Sequence, residues 1–206
     1  MSRTESKMIE LGTIAPMFEM IDVVTGKSYS RDDVFAQSWD TDTSDQENMK
    51  ADASASKHGR HGMLIMFICV HCPFVKHVEQ ELAHIGRDYA GKIGIAAISS
   101  NDVAAYPEDS PENLKAQAQR LGFNFPYLFD ETQETARSYG AACTPDFFLY
   151  DGQRKLVYRG QLDDSRPGNG VPVTGRDLRA ALDALISAKP IPKEQRPSIG
   201  CNIKWK

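Results

Sequence analysis

The chain has 206 residues, 41% of them hydrophobic, and carries a formal net charge of -4. That length suits one globular domain with additions rather than two full domains. The mild acidity leaves no electrostatic footprint for nucleic acid or an anionic membrane, and no apolar run approaches the ~18 residues that a membrane span needs.

The opening Met1-Ser2-Arg3-Thr4-Glu5-Ser6-Lys7 is polar and lacks the apolar centre of a signal peptide, so a soluble, cytoplasmic protein is expected by default. Residues 17–24 alternate imperfectly and run into Thr25-Gly26-Lys27, which predicts a strand and a turn. Ser30-Arg31-Asp32-Asp33 can cap a short helix through Phe35. Residues 39–62 are rich in Asp, Ser, Ala and Lys without apolar periodicity and read as a loop insertion. Within it, Asp40-Thr41-Asp42-Thr43-Ser44 faintly resembles a calcium loop but lacks the expected glycine and closing glutamate.

The apolar residues 63–68 predict a buried strand, and Val75, Val78, Leu82 and Ile85 place an amphipathic helix over 73–89. Residues 93–98 form a second apolar strand. Ser110-Pro111 signals a helix over 112–121, and residues 126–129 form a short strand. A helix over 132–139 ends at Gly140. Residues 147–150 and 155–158 flank Asp151-Gly152, a hairpin signal, and a last helix covers 178–186. The stretch 190–206 is proline-rich and reads as an irregular tail. The order β-α-β-α-β-α-β-β-α implies a largely parallel sheet covered on both faces, with an antiparallel closing hairpin.

The most informative segment is Cys69-Val70-His71-Cys72-Pro73, at the junction of the buried strand and the long helix. Two cysteines at this spacing can close a short disulfide, and a helix N-terminus favours a thiolate. A Cys-x-x-Cys pair is equally half of a zinc site; its place after a buried strand in a βαβ-like pattern tilts the reading towards redox chemistry. Pro73 fits best at the first helical position, which makes Cys72 the cap residue and spreads the dipole argument over both sulfurs. Four cysteines are too few for a disulfide scaffold.

An apolar strand, Cys-x-x-Cys at a helix start and Thr144-Pro145 entering a later hairpin together resemble the thioredoxin superfamily. The opening Leu11-Gly12-Thr13-Ile14-Ala15-Pro16-Met17-Phe18, the segment Phe67-Ile68-Cys69-Val70-His71-Cys72-Pro73-Phe74-Val75-Lys76-His77 and the run Gly160-Gln161-Leu162-Asp163-Asp164-Ser165-Arg166-Pro167 look like a bacterial thioredoxin-family or AhpC/TSA-like (redoxin) group. The resemblance spans nearly the whole chain outside the insertion. It implies one thioredoxin-like domain over 1–206, a three-layer α/β/α sandwich with a mixed central sheet and an N-terminal extension.

It also implies roles. Cys69 is the nucleophile on the exposed side of the turn, Cys72 the more buried resolving partner, and exchange runs through a mixed disulfide with a client. His71 precedes the resolving cysteine, as in strongly oxidising relatives, and a partly charged imidazole there stabilises the reduced form. Thr144-Pro145 resembles the cis-proline loop that leaves backbone groups free to pair with an extended substrate. Cys143 is open to three readings, a third redox thiol, a metal ligand or a small core residue, with the last favoured. Cys201 has no assignable role. The charged run at 163–169 reads as a solvated turn that could line the site, and His77 as a helix-surface residue.

Two departures from the pattern weigh on the sub-family. The buried acid that thioredoxins carry six residues before the first cysteine is Met63, and the peroxidatic threonine three before a cysteine is replaced by Met66 or by Cys69 itself. Thiol–disulfide exchange is therefore the leading expectation. A thiol-dependent peroxidase is the alternative, and a metal-binding protein using Cys69, Cys72 and His71 or Cys143 a second. The expected partners are a protein or small-molecule thiol or disulfide client and an electron donor, with no cofactor, nucleic acid or membrane. Neither the client nor the oligomeric state is legible.

Overall fold

A computed structural model describes residues 3–37 and 61–206. Its elements are β1 (Arg3–Glu5), β2 (Glu19–Ile21), β3 (Ser28–Ser30), α1 (Arg31–Ala36), β4 (Gly62–Phe67), α2 (Pro73–Asp88), β5 (Gly94–Ser99) and a single 3₁₀ turn (Pro107–Asp109). There follow α3 (Pro111–Leu121), β6 (Tyr127–Phe129), α4 (Glu134–Tyr139), β7 (Cys143–Thr144), β8 (Asp146–Asp151), β9 (Leu156–Gly160), α5 (Arg176–Ile186) and β10 (Ile199–Asn202). The expected insertion, with its calcium-like segment, lies outside the described residues apart from its end, where Gly62 already opens β4.

The main sheet has the order β6-β5-β4-β8-β9. β4, β5 and β6 are parallel, while β8 runs antiparallel to β4 and β9 antiparallel to β8. The sheet is thus mixed, with the hairpin beside the central strand rather than merely at the rim. β4 is buried along its whole length because both faces are covered. Leu64 and Met66 point into one core with Val75, Val78, Leu82 and Ile85 of α2 and with residues of α3 and α5. Met63, Ile65 and Phe67 point into the other, with Val34 and Phe35 of α1 and Tyr139 of α4. Each fully buried aliphatic or aromatic side chain contributes about 1.5–3 kcal/mol, so this continuous apolar strand anchors the turn that follows it. The result is the expected three-layer α/β/α sandwich.

Caps follow the local sequence. Ser30 and Asp33 form a reciprocal capping box on α1, and the Ser110 hydroxyl accepts from the Asn113 N–H at the start of α3.

The tail is the main correction to the sequence reading. Residues 190–206 are not irregular throughout, because β10 pairs antiparallel with β1 on one side and β7 on the other. This strand is short and follows a proline-rich stretch, so no alternating pattern announces it; its partners, from opposite parts of the chain, create it. The N-terminal extension is held in the same second sheet.

Candidate active site

Cys69 and Cys72 occupy the turn from β4 into α2. Cys72 is the N-cap of α2 with an extended backbone, and Pro73 takes the first helical turn, where its missing N–H costs nothing. Across the turn lies Thr144, whose peptide bond to Pro145 is cis. The Thr144 Oγ1 atom is 3.3 Å from Cys69 Sγ, and Cys72 Sγ is 3.1 Å from the Thr144 carbonyl oxygen. One threonine therefore touches both sulfurs. Both cysteines are fully buried, so Cys69 does not lie on an exposed side of the turn and Cys72 is not the more buried of the two. The cause is the C-terminal segment, which packs over the turn with Cys201 in the same core.

The two sulfurs are shifted in opposite directions, Cys72 down and Cys69 up. Cys72 is drawn down to about 5. The neighbouring Cys69 thiol is the main cause; burial opposes it, and the polar groups of Cys201, Thr144 and the Val75 backbone add to it. The Cys72 side chain makes no cap hydrogen bond, so the helix end favours its thiolate through the dipole. Cys69 is pushed well up, first by burial, then by the neighbouring Cys72 side chain and the charge of Asp109. The Thr144 carbonyl works the other way, since Cys72 can donate to it only when protonated.

A carboxylate invisible to motif reading holds the outside of the turn. Asp109, at the end of the 3₁₀ turn, is fully buried. Its Oδ1 accepts the backbone N–H groups of Val70 and His71 at 2.8 and 3.0 Å. Its Oδ2 accepts from Asn101 Nδ2 at 2.7 Å and lies 2.5 Å from His71 Nδ1. Burial pushes the Asp109 carboxyl up, but these donors outweigh it and hold it below the usual carboxylate range. His71 is shifted up by its bond to Asp109, against burial, and its ring stacks on Tyr106 with centroids 5.4 Å apart. The one sequence hint of Asp109 is its place just before the Ser110-Pro111 cap.

The remaining candidates are distributed unevenly. Thr144 and Pro145 are buried, and Thr144 pairs with Cys201 and Cys143 with Asn202 in the β7–β10 ladder. The expectation that this backbone is free for an extended substrate is overturned, because the chain's own β10 occupies the edge. Cys143 is buried and donates to the Pro145 carbonyl at 3.6 Å; burial raises its thiol, with Asp146 adding to the effect. The further thiol that shares a core cluster with the dithiol is Cys201. Ser165, Arg166 and Pro167 line a cleft with Phe74, His77 and Pro145, so the charged run packs beside the cis-proline loop. His77 is thereby half-buried rather than on the helix surface. Cys69, His71 and Asp109 bring potential ligand atoms within 4.8 Å of one another, a different set from the cysteine-rich one expected. In that set both Asp109 oxygens and His71 Nδ1 are already engaged in hydrogen bonds.

Residues 12–159 match the AhpC/TSA family. The chain belongs to that family. No curated protein matches it. Among solved structures it is similar to an uncharacterized conserved protein from Geobacillus kaustophilus, at 50% identity and TM-score 0.86 over 100% of this chain and 97% of the other. It is also similar to a hypothetical protein from Sinorhizobium meliloti 1021, at 43% identity and TM-score 0.85 over 98% of each chain. A putative thiol:disulfide interchange protein DsbE from Chlorobium tepidum is 16% identical, with TM-score 0.58 over 86% of this chain and 99% of the other, a likeness of fold. The fold is thioredoxin-like. Family and fold together support a redox function for this AhpC/TSA chain. Among its described residues no helix is long and apolar enough to cross a membrane.

Proposed function

We propose that the protein is a thiol–disulfide oxidoreductase in which the Cys69–Cys72 dithiol exchanges with a client through a mixed disulfide. The observation that carries this reading is a pair of buried thiols at a helix cap, both touched by the threonine of a cis peptide bond. A proton passing from Cys69 to Cys72 leaves Cys72 able to donate to the Thr144 carbonyl and puts the charge on Cys69. There it accepts from Thr144 Oγ1 and lies within 4.8 Å of the His71 imidazole. Cys69 then attacks one client sulfur, the other leaves as a thiolate, and Cys72 breaks the mixed disulfide. The client gains two electrons and the dithiol closes. An imidazolium held by Asp109 favours the reduced, anionic form, which makes the pair oxidising. The electron partner and a cytoplasmic site of action belong to this proposal.

Equilibration with glutathione tests it. The dithiol is expected to close within the molecule, with a potential above that of thioredoxin, and Cys72→Ser to accumulate a mixed disulfide on Cys69. Failure of Cys69 and Cys72 to join would sink the reading, and a thioredoxin-like potential would remove the role of His71.

A second reading, peroxide reduction, has one observation in its favour. The hydroxyl missing from the local motif arrives from Thr144, 3.3 Å from Cys69. Peroxide would oxidise Cys69 to a sulfenic acid, which Cys72 condenses to a disulfide with loss of water. Consumption no faster than by a free thiol would reject it.

A further inference from the structure

The C-terminal strand delivers a third sulfur to the dithiol. β10 runs antiparallel to β7 with Cys201 opposite Thr144, the residue that contacts both Cys69 and Cys72. The approach is close enough to require glycine at the preceding position, since a Cβ on Gly200 would overlap the Thr144 carbonyl oxygen. Further bonds lock the register: Ile203 N–H donates to the Ala142 carbonyl at 3.1 Å, and the Ser198 hydroxyl to the Pro145 carbonyl at 2.6 Å. Cys201 is 2% exposed and lies in the same core cluster as Cys69 and Cys72, near enough to Cys72 for each to shift the other's thiol. Cys72 therefore has two other thiols near it, Cys69 from its own turn and Cys201 from β10.

We propose that Cys201 is a third redox thiol, an exchange partner built into the chain that takes the disulfide from the Cys69–Cys72 pair. The step rests on the thiol–disulfide reading above and is neutral in electrons. The Cys201 sulfur attacks Cys72 of the closed pair, the Cys72–Cys201 bond forms, and the Cys69–Cys72 bond breaks. Cys69 leaves as a thiolate and takes up the proton that Cys201 loses. The oxidising equivalent is kept at the buried position while Cys69 is free again beside His71. In the reduced protein, burial and then the neighbouring Cys72 hold the Cys201 thiol up to about 12, so it serves as a donor there. Once Cys72 is in a disulfide its charge is gone, and Lys204 nearby favours the Cys201 thiolate. An edge where an outside strand could add is filled by a strand that carries its own cysteine.

The test is disulfide mapping in the full chain. Cys69→Ser has three thiols left, Cys72, Cys143 and Cys201. After prolonged treatment with oxidised glutathione and alkylation, the expected product has a Cys72–Cys201 cross-link with Cys143 alone alkylated. A glutathione adduct on Cys72 with Cys201 alkylated would overturn the proposal. If Cys69→Ser loses its circular-dichroism signature, the oxidised native chain decides. A fraction with Cys72 joined to Cys201, absent from Cys201→Ser, supports the third thiol, and complete alkylation of Cys201 in the folded, oxidised protein refutes it. Failure of the native pair to close would instead strike the exchange reading, which the Cys69→Ser product does not depend on.

Discussion

The loop carrying Asp109 and the strand carrying Cys201 hold the same turn from opposite sides and by different physics. Asp109 grips the outer backbone through charge-assisted bonds to the Val70 and His71 N–H groups and to the imidazole. β10 grips from within, through ladder pairing to Thr144 and a thiol in the same core cluster as Cys72. The first sets the charge beside the dithiol, and the second sets its access to solvent and its neighbours. Asn101 joins the two, donating to Asp109 Oδ2 and accepting the Lys204 N–H at 2.8 Å just beyond β10. Charge control and access control are thus mechanically linked, although each can be broken alone.

The largest effect is expected on the charged side. Asp109→Ala leaves buried N–H donors and an imidazolium without a partner and should lower stability by about 3–5 kcal/mol, read as a shift in the urea midpoint. The pH dependence of that loss identifies its origin. The raised His71 contributes stability that is fully present below the usual imidazole range and lost as pH rises through its folded value. The lowered Asp109 contributes stability present above the usual carboxylate range and lost as pH falls through its folded value. The difference between native protein and Asp109→Asn should therefore peak between the ordinary carboxylate and imidazole ranges; a difference independent of pH would mean the clamp is not ionic.

Gly200→Ala attacks the other side. The added Cβ meets the Thr144 carbonyl, and the overpacking should cost about 1–3 kcal/mol while leaving the His71 titration by NMR in place. Faster alkylation of Cys201 and Cys72 than in the native protein is the diagnostic; unchanged protection would show that β10 does not control access.

Asn101→Ala should cost about 2 kcal/mol by leaving buried groups unsatisfied on both sides, and should disturb His71 and Cys201 together. If only one responds, the linkage is not mechanical. Ser30→Ala is the control: loss of the α1 cap should cost about 1 kcal/mol and leave the thiolate absorbance step near pH 5 unmoved.

The elements of the main sheet were legible because each carries its own local signal. Examples are the unbroken apolar run of β4, the Ser110-Pro111 cap of α3 and the Asp151-Gly152 turn between β8 and β9. The dithiol was legible for the same reason, its cysteines being neighbours in the chain. Asp109 and Cys201 were not. Each is an ordinary residue in an unremarkable stretch, brought to the turn by contacts 38 residues or more away in the case of Asp109 and by pairing across most of the chain in the case of Cys201.

The sequence by itself determined that this chain carries a dithiol at a strand-to-helix junction in an alternating α/β order, since periodicity, caps and spacing are local properties. Its resemblance to a known family implied the thioredoxin-like sandwich. Tertiary structure decided that both sulfurs are buried, that a carboxylate and an imidazole face them from one side, and that a strand carrying a third thiol joins their core. Burial and long-range pairing are sums over residues distant in the chain. They alone set the electrostatics and the access on which the chemistry of a thiol depends.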